Sequence, residues 1–240
     1  MDRYTNDILR SLYARKSVRA YTDEPVPSAM KQAILAAAVQ APSAGCQQLY
    51  TILDVTDDTL KAALADSCDH QPFIARAPMV LVFCADCKKW YDAYKSVGCS
   101  ARSPGVGDLL LAVSDAVIAA QNAVVAAESL GLGSCYIGDI VENFEIHKEL
   151  LNLPPQVAPL CMLVFGYPTQ QQKERKQTTR FAKSSIVFEN RYRELSEEEL
   201  LEMMPNDRTK AFYNRKYVSD FAQEMVRSTK EIYKNWNSKE

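Results

Sequence analysis

The chain has 240 residues, 47% of them hydrophobic and 24% charged, enough for one large domain or two small ones with a full apolar core. A formal net charge of -2 excludes the basic footprint that phosphate-backbone binding requires, so no nucleic-acid partner is expected. Seven cysteines form an odd set scattered through apolar contexts such as Val82-Phe83-Cys84 and Leu160-Cys161-Met162, which argues against a disulfide framework. The polar stretch Met1–Asp7 has no apolar signal segment, and a reducing cytoplasm is the expected compartment.

Residues 5–13 predict a short helix leading into the basic cluster Arg15-Lys16-Ser17-Val18-Arg19. After Pro25 and Pro27, Ser28 is a candidate N-cap for an alanine-rich helix over 28–41. That helix ends in the small-residue loop Ala41-Pro42-Ser43-Ala44-Gly45-Cys46-Gln47-Gln48. Tyr50–Val55 predicts a strand, Asp57 caps the next helix, and the continuous apolar run Met79–Cys84 predicts a central strand. The apolar stretch Leu109–Leu130 is long enough to span a membrane. Asp115, Gln121, Asn122 and Glu128 interrupt it, however, and alanine dominates, so a buried helix ending at Gly131 is expected and no membrane partner.

Ser134–Ile137 predicts a short strand, and Ala158–Tyr167 another that Pro159 breaks. Residues 169–185 are polar and basic and predict a loop. Ile186–Phe188 predicts a further strand, and the rest of the chain a helical tail whose last helix carries the stripe Tyr217, Phe221, Met225. Long helices interleaved with few strands give an α+β fold around a mixed or mostly antiparallel sheet.

Familiar catalytic machinery is missing. The two histidines, His70 and His147, sit in no metal or hydrolase motif, and His147 is expected on a helix surface. Cys84-Ala85-Asp86-Cys87 is a lone CxxC without a second pair, so two unlinked thiols are expected and no metal site. A chain this poor in acid–base groups either binds something or leaves the chemistry to a cofactor. What the sequence offers is recognition. Arg15, Lys16, Ser17 and Arg19 place three cations and a hydroxyl within five residues, a group able to hold a phosphate or to form a solvated basic turn. Ser43 and Gln48 flank Gly45, which allows close approach to a ring.

These segments occur in an order that resembles the nitroreductase / flavin reductase family. Arg15-Lys16-Ser17-Val18-Arg19-Ala20-Tyr21-Thr22-Asp23-Glu24-Pro25 resembles its opening Arg/His-x-Ser-x-Arg, aromatic and acidic-Pro pattern. Ala41–Gln48 resembles its Ala-Pro-Ser/Thr-x-x-Asn-x-Gln segment, and Gln71-Pro72-Phe73-Ile74 its flavin-facing glutamine segment. Gly131–Gly138 resembles its Gly-rich strand and turn, and Gly166-Tyr167-Pro168 with Arg180 its phosphate segment. The resemblance covers about residues 8–190.

It implies a nitroreductase-like fold in an intertwined homodimer, with an FMN-binding domain over 1–190 and a C-terminal helical extension over 191–240 packing on the dimer. Arg15, Lys16, Ser17 and Arg19 would hold the FMN phosphate and ribityl chain, and Arg180 would close over the phosphate. Pro42, Ser43, Cys46 and Gln48 would form the loop that reaches the flavin from the opposite subunit. Gln71 would bond the polar edge of the ring, and Tyr136, Ile137 and Gly138 would pass beside it. Two positions depart from the family pattern. Cys46 stands where Asn is usual, removing an amide near the ring. Gln177 stands where a phosphate-binding Lys is expected, with Lys176 adjacent as its substitute.

The activity implied is hydride transfer from NAD(P)H through FMN to a nitroaromatic, quinone or flavin acceptor by a ping-pong mechanism. The competing readings are a flavin-binding or flavin-delivery protein without turnover, and a thiol–disulfide protein using Cys84 and Cys87. NADH or NADPH preference stays open, since Arg208, Lys210 and Arg215 serve equally as a 2′-phosphate site or as a solvated helix face.

Overall fold

The computed structural model describes residues 6–238. Helix α1 (Asp7–Ala14) starts where Asn6 Oδ1 accepts the Leu9 amide at 3.0 Å; Thr5, where the expected helix begins, lies outside the described residues. Helix α2 (Ser28–Val39) is capped at Pro27, so Ser28 is its first helical residue and not its cap. Then follow β1 (Tyr50–Asp54), α3 (Asp58–Ser67, capped by Asp57), α4 (Pro72–Ala75), β2 (Met79–Asp86), α5 (Lys88–Ser96) and α6 (Val106–Ser129). The chain continues through β3 (Gly133–Ile137), α7 (Phe144–Leu150), β4 (Val157–Gly166) and α8 (Gln170–Glu174). It ends with α9 (Glu197–Met203), α10 (Asn206–Phe212) and α11 (Asp220–Asn237).

The four strands make one antiparallel sheet in the order β1-β2-β4-β3. Helices cover both faces, so the central strands β2 and β4 are apolar on both sides. Met79, Leu81, Phe83, Leu163 and Phe165 pack under α2 and α6. Val80, Val82, Cys84, Met162 and Val164 face α3, α4 and α7. Ala112, Ala116, Ala119, Ala120, Ala123 and Ala127 line the buried side of α6, and their small side chains let a 24-residue helix lie directly on the sheet. This helix meets the length and hydropathy of a membrane span, yet its alanine face is core.

Several expectations need correction. Pro159 does not break β4. Phe83 pairs with Cys161 and Cys84 with Pro159, so β4 bulges at Leu160 and its pairing with β2 continues through Pro159 to Val157. Residues 170–174, expected as loop, form a short helix capped by Thr169. Ile186–Phe188 forms no strand within the chain; Ile186 and Val187 are exposed after a 3-10 turn. The tail is not one continuous helical run: Tyr217 lies in a separate π-type turn, and Ser219 starts α11 afresh. The face that α11 buries is Ser228, Ile232 and Trp236.

Helix α11 docks by capping α7. Glu224 Oε1 accepts the Asn143 amide at 3.0 Å and Ser228 Oγ accepts the Phe144 amide at 3.2 Å, which satisfies two donors that every helix start leaves orphaned. Arg227 then forks onto Glu145 and Glu224. His147, expected on a surface, is fully buried where α7 packs on α3, with Nε2 at 2.9 Å from Ser67 Oγ; burial holds its imidazole below the ordinary range.

The N-terminal segment crosses the end of the sheet in a notch cut by two facing glycines. Gly133 and Gly166 are register partners. A Cβ on Gly133 would lie 2.5 Å from Val18 Cγ2, and one on Gly166 would lie 2.7 Å from Tyr21 Cδ1. Through that notch the Val18 amide donates to Ser134 O (2.9 Å) and the Thr22 amide to Tyr167 O (2.9 Å).

Two outcomes follow from this packing. Gly133→Ala is expected to destabilise the fold by about 1–3 kcal/mol, the usual cost of overpacking, and Val18→Ala in the same chain to recover part of it. Denaturant titration checks both, and a neutral Gly133→Ala would reject the notch. The second concerns Glu142, only 7% exposed, whose carboxyl burial pushes up to about 7, helped by Asp139, Asp69 and Glu224 and opposed by Lys216. The folded chain therefore binds an extra proton between the ordinary carboxylate value of 4.5 and about 7. Stability falls as pH rises through that window, by at most ~1.4 kcal/mol per pH unit for one proton. Glu142→Gln should flatten that slope, and the same slope in both proteins would exclude Glu142 as its source.

Candidate active site

The basic segment leaves α1 at Arg15 and runs extended beside β3, forming a parallel bridge from Ser17 to Ser134. Arg15 places its guanidinium 5.8 Å from the Tyr136 ring centroid. Its Nε and Nη2 are buried without a hydrogen-bond partner, and so are Glu128 Oε1 and Ser134 Oγ. Burial raises the Glu128 carboxyl, against the pull of Arg15, so this acid is a poor counter-charge for the guanidinium. Buried charges and donors without partners are rare in native proteins. The donors of this set, the two Arg15 nitrogens and the Ser134 hydroxyl, suit an anionic, oxygen-rich group held between residue 15 and β3.

Arg19 lies 6.0 Å from the Phe73 ring centroid, which brings it to α4 and its leading residue Gln71. Gln71 Nε2 donates to Cys68 O at 2.8 Å, leaving its carbonyl oxygen to accept elsewhere. Ser17, Arg15 and Arg19 also gather around Cys135; burial raises its thiol, and the two cations partly offset that. Gly138, just past β3, is exposed with open space where a Cβ would stand, so a planar group can approach its backbone. Arg15 and Ser17 thus run along edge strand β3, which carries Tyr136 and Ile137 and ends just before Gly138, while Arg19 reaches α4 and Gln71.

The basic loop after β4 is strapped to this segment by side chains that reach main-chain oxygens. Lys16 Nζ donates to Lys173 O (2.7 Å) and Arg175 O (2.5 Å). Arg175 donates to Ser17 O, and Gln177 donates to Tyr13 O and, at 3.3 Å, to Arg15 O. Gln172 Oε1 accepts the Arg19 amide at 3.3 Å. Lys16 therefore spends two of its three donors on the loop. Gln177, at the position of the expected lysine, works as a neutral clasp. Lys176 and Arg180 are exposed, and Arg180 donates to Thr178 O (3.0 Å) beside a cleft that includes Phe181, Met203 and Phe212.

Pro42, Ser43, Cys46 and Gln48 lie elsewhere. Their loop makes a tight 3-10 turn, Ala44–Cys46, with left-handed φ values of 55° at Gly45, 56° at Cys46 and 51° at Gln48. For cysteine and glutamine such backbone costs on the order of 1 kcal/mol each. Ser43 Oγ accepts the Gln48 amide (3.0 Å), and Gln48 Nε2 donates to Val39 O (3.0 Å). From α6, Asp115 accepts the amides of Ala44 (2.8 Å) and Leu49 (3.1 Å). From α5, Trp90 Nε1 donates to Gln47 O (2.8 Å). Asp115 and Glu128 are thirteen residues apart on α6, about 20 Å at ~1.5 Å per residue. Within one chain the Ser43–Gln48 loop thus meets the middle of α6, and Arg15 its C-terminal end.

Neither cysteine of the CxxC pair is linked, and burial pushes Cys87 up to about 12 and Cys84 higher still, so neither is a ready thiolate. No cluster of three or more His, Cys, Asp or Glu suited to a metal occurs among the described residues. Asp115, Glu128, Gln172 and Arg175 were not singled out as site residues from sequence. The first two left a trace there as polar breaks in an apolar helix. The other two left none, because their role lies in contacts more than 150 residues distant.

Residues 12–167 match the model of the nitroreductase family. The chain is 38% identical over 186 residues to an oxygen-insensitive NADPH nitroreductase of Salmonella typhimurium, covering 78% of this chain and 75% of that one. It is 34% identical over 172 residues to an FMN reductase [NAD(P)H] of Bacillus subtilis, covering 71% and 69%. The solved NADPH:FMN oxidoreductase of Vibrio harveyi, complexed with NAD+, superposes with a TM-score of 0.80 at 27% identity, covering 95% of this chain and 98% of that one. With an antiparallel sheet between helix layers and a matched family model over residues 12–167, this chain belongs to the nitroreductase family.

Proposed function

We propose that the protein is an FMN-dependent NAD(P)H oxidoreductase that reduces nitroaromatic, quinone or flavin acceptors at a composite site shared by two subunits. The observation that carries the reading is Arg15, a half-buried arginine with two buried, unpartnered guanidinium nitrogens beside the Tyr136 ring. Bound FMN would supply hydride acceptance from NAD(P)H and delivery to the acceptor. The protein's part is to bind and orient. Arg15, Ser17 and Arg19 would hold the phosphate and ribityl chain, while Lys16, Arg175 and Gln177 keep the covering loop in place. Gln71 would accept from the ring edge, and Tyr136, Ile137 and Gly138 would lie along the ring. No side-chain general acid is needed, in keeping with a site end that holds no histidine.

Nicotinamide and acceptor would visit one face of the ring in turn, which gives ping-pong kinetics. The purified protein is expected to carry FMN and to oxidise NAD(P)H with added quinone, with parallel double-reciprocal plots across acceptor concentrations. Arg15→Gln should weaken FMN binding by about ten- to a hundredfold, the worth of one charge-assisted bond at ~1.5–3 kcal/mol. A colourless protein that FMN cannot reconstitute would sink the reading. Flavin without turnover would instead favour the delivery role.

The second subunit is supported by surface left uncovered on the long helix. Leu110, Leu111, Val117 and Ile118 of α6 are 40–63% exposed, and Ile8 and Leu12 of α1 are uncovered nearby. A two-fold partner on this face would bring its Ser43 and Gln48 to the Arg15 end, which one chain alone does not do. Sedimentation over a wide concentration range is expected to show a dimer that loses FMN only when it dissociates. A stable FMN-bound monomer would refute the shared site.

A further inference from the structure

We propose that Asp115 is a positioning residue for hydride transfer: its buried carboxylate sets the backbone of the loop carrying Ser43 and Gln48. The inference rests on the reading of that loop as the half-site reaching a flavin held by the neighbouring subunit.

Asp115 is 2% exposed on the alanine face of α6, where Ala112, Ala116 and Ala119 would suffice for packing on the sheet. An unpaired carboxylate is unfavourable in that setting. What it gains is two amide donors from opposite ends of one short loop, Ala44 on Oδ1 and Leu49 on Oδ2. Between those two anchors lie three left-handed residues, two of them not glycine. An ionised carboxylate is a pure acceptor, so it holds both ends at once. Asparagine has the same volume but turns an NH2 toward one of the two amides, and so releases one end. The carboxylate thus stabilises a strained turn that cysteine at position 46 does little to favour.

Anchoring also fixes function. The left-handed turn aims the side chains of Cys46 and Gln48, and Ser43 Oγ closes the loop on the Gln48 amide. If the turn relaxes, the half-site moves while the Arg15 end stays intact. Sub-ångström placement of reacting groups is what orientation catalysis depends on. Loss of the clamp should therefore appear in cofactor and acceptor binding as well as in local order.

The test is hydrogen exchange of the 44–49 amides in the protein as purified, alongside the FMN dissociation constant and the acceptor KM and kcat. Asp115→Asn is expected to speed exchange of those amides about ten- to a hundredfold, and to raise the FMN dissociation constant and acceptor KM. Adding Cys46→Asn should recover part of each change, because asparagine adopts left-handed backbone more readily than cysteine. Unchanged exchange in Asp115→Asn overturns the clamp. Faster exchange with unchanged FMN and acceptor constants reduces Asp115 to a structural role and removes the loop from the flavin, overturning the proposal. In that case the Arg15 assignment keeps its own test in FMN affinity. Should Asp115→Asn fail to fold, Cys46→Asn alone decides. Slower exchange than wild type supports a strained turn held by Asp115, and no change rejects it.

Discussion

The structure depends on close contact between α6 and the antiparallel sheet, a contact that only small side chains permit. Alanines on the buried side bring the helix axis near β2 and β4, and the polar residues along it then fall at fixed places. Asp115 meets the Ser43–Gln48 loop, and Asn122 Nδ2 donates to Ala37 O at 3.2 Å. Gln121 accepts from Tyr136 OH at 3.3 Å, and Glu128 stands by Arg15. Each break in the apolar run is an attachment point. The helix acts as a rigid spacer that holds the Ser43–Gln48 loop and the Arg15 segment apart within one chain.

The chemistry of the site follows from what burial does to its titratable groups. Thiols and phenols near the sheet are pushed upward, away from reactivity at neutral pH. His147 is buried in a helix-docking contact at the other layer. What remains available is donors: the Arg15 guanidinium, the Ser17 hydroxyl and the open backbone at Gly138. Such an arrangement binds and tunes a group better than it transfers protons itself.

Much of this could be read from the chain, because local signals agreed with the tertiary outcome. A continuous apolar run marked β2 as a central strand, and Gly131, at a φ of 82°, ended α6 as its type suggested. What sequence could not give was partner identity across distance. Pro159 looked like a strand breaker because nothing local announces the bulge that absorbs it. Tyr217 matched the spacing of Phe221 and Met225, but the capping serine at 219 overrules periodicity. Gln177 looked like a lost phosphate ligand, and its contacts with the carbonyls of Tyr13 and Arg15 exist only after the sheet has formed.

The glycine notch has a bearing on the order in which the chain assembles. Arg15–Arg19 is made before the groups that hold it, which lie at Ser134, Tyr167 and in the loop from Gln172 to Gln177. At ~5–20 residues per second, those partners follow roughly 6–30 s later. Until then the basic segment is an unanchored cation cluster with nowhere to present its charge. The setting of this segment is therefore a late product of folding, made by long-range closure, and a group bound there would be loaded onto a finished sheet, with no part in nucleating it.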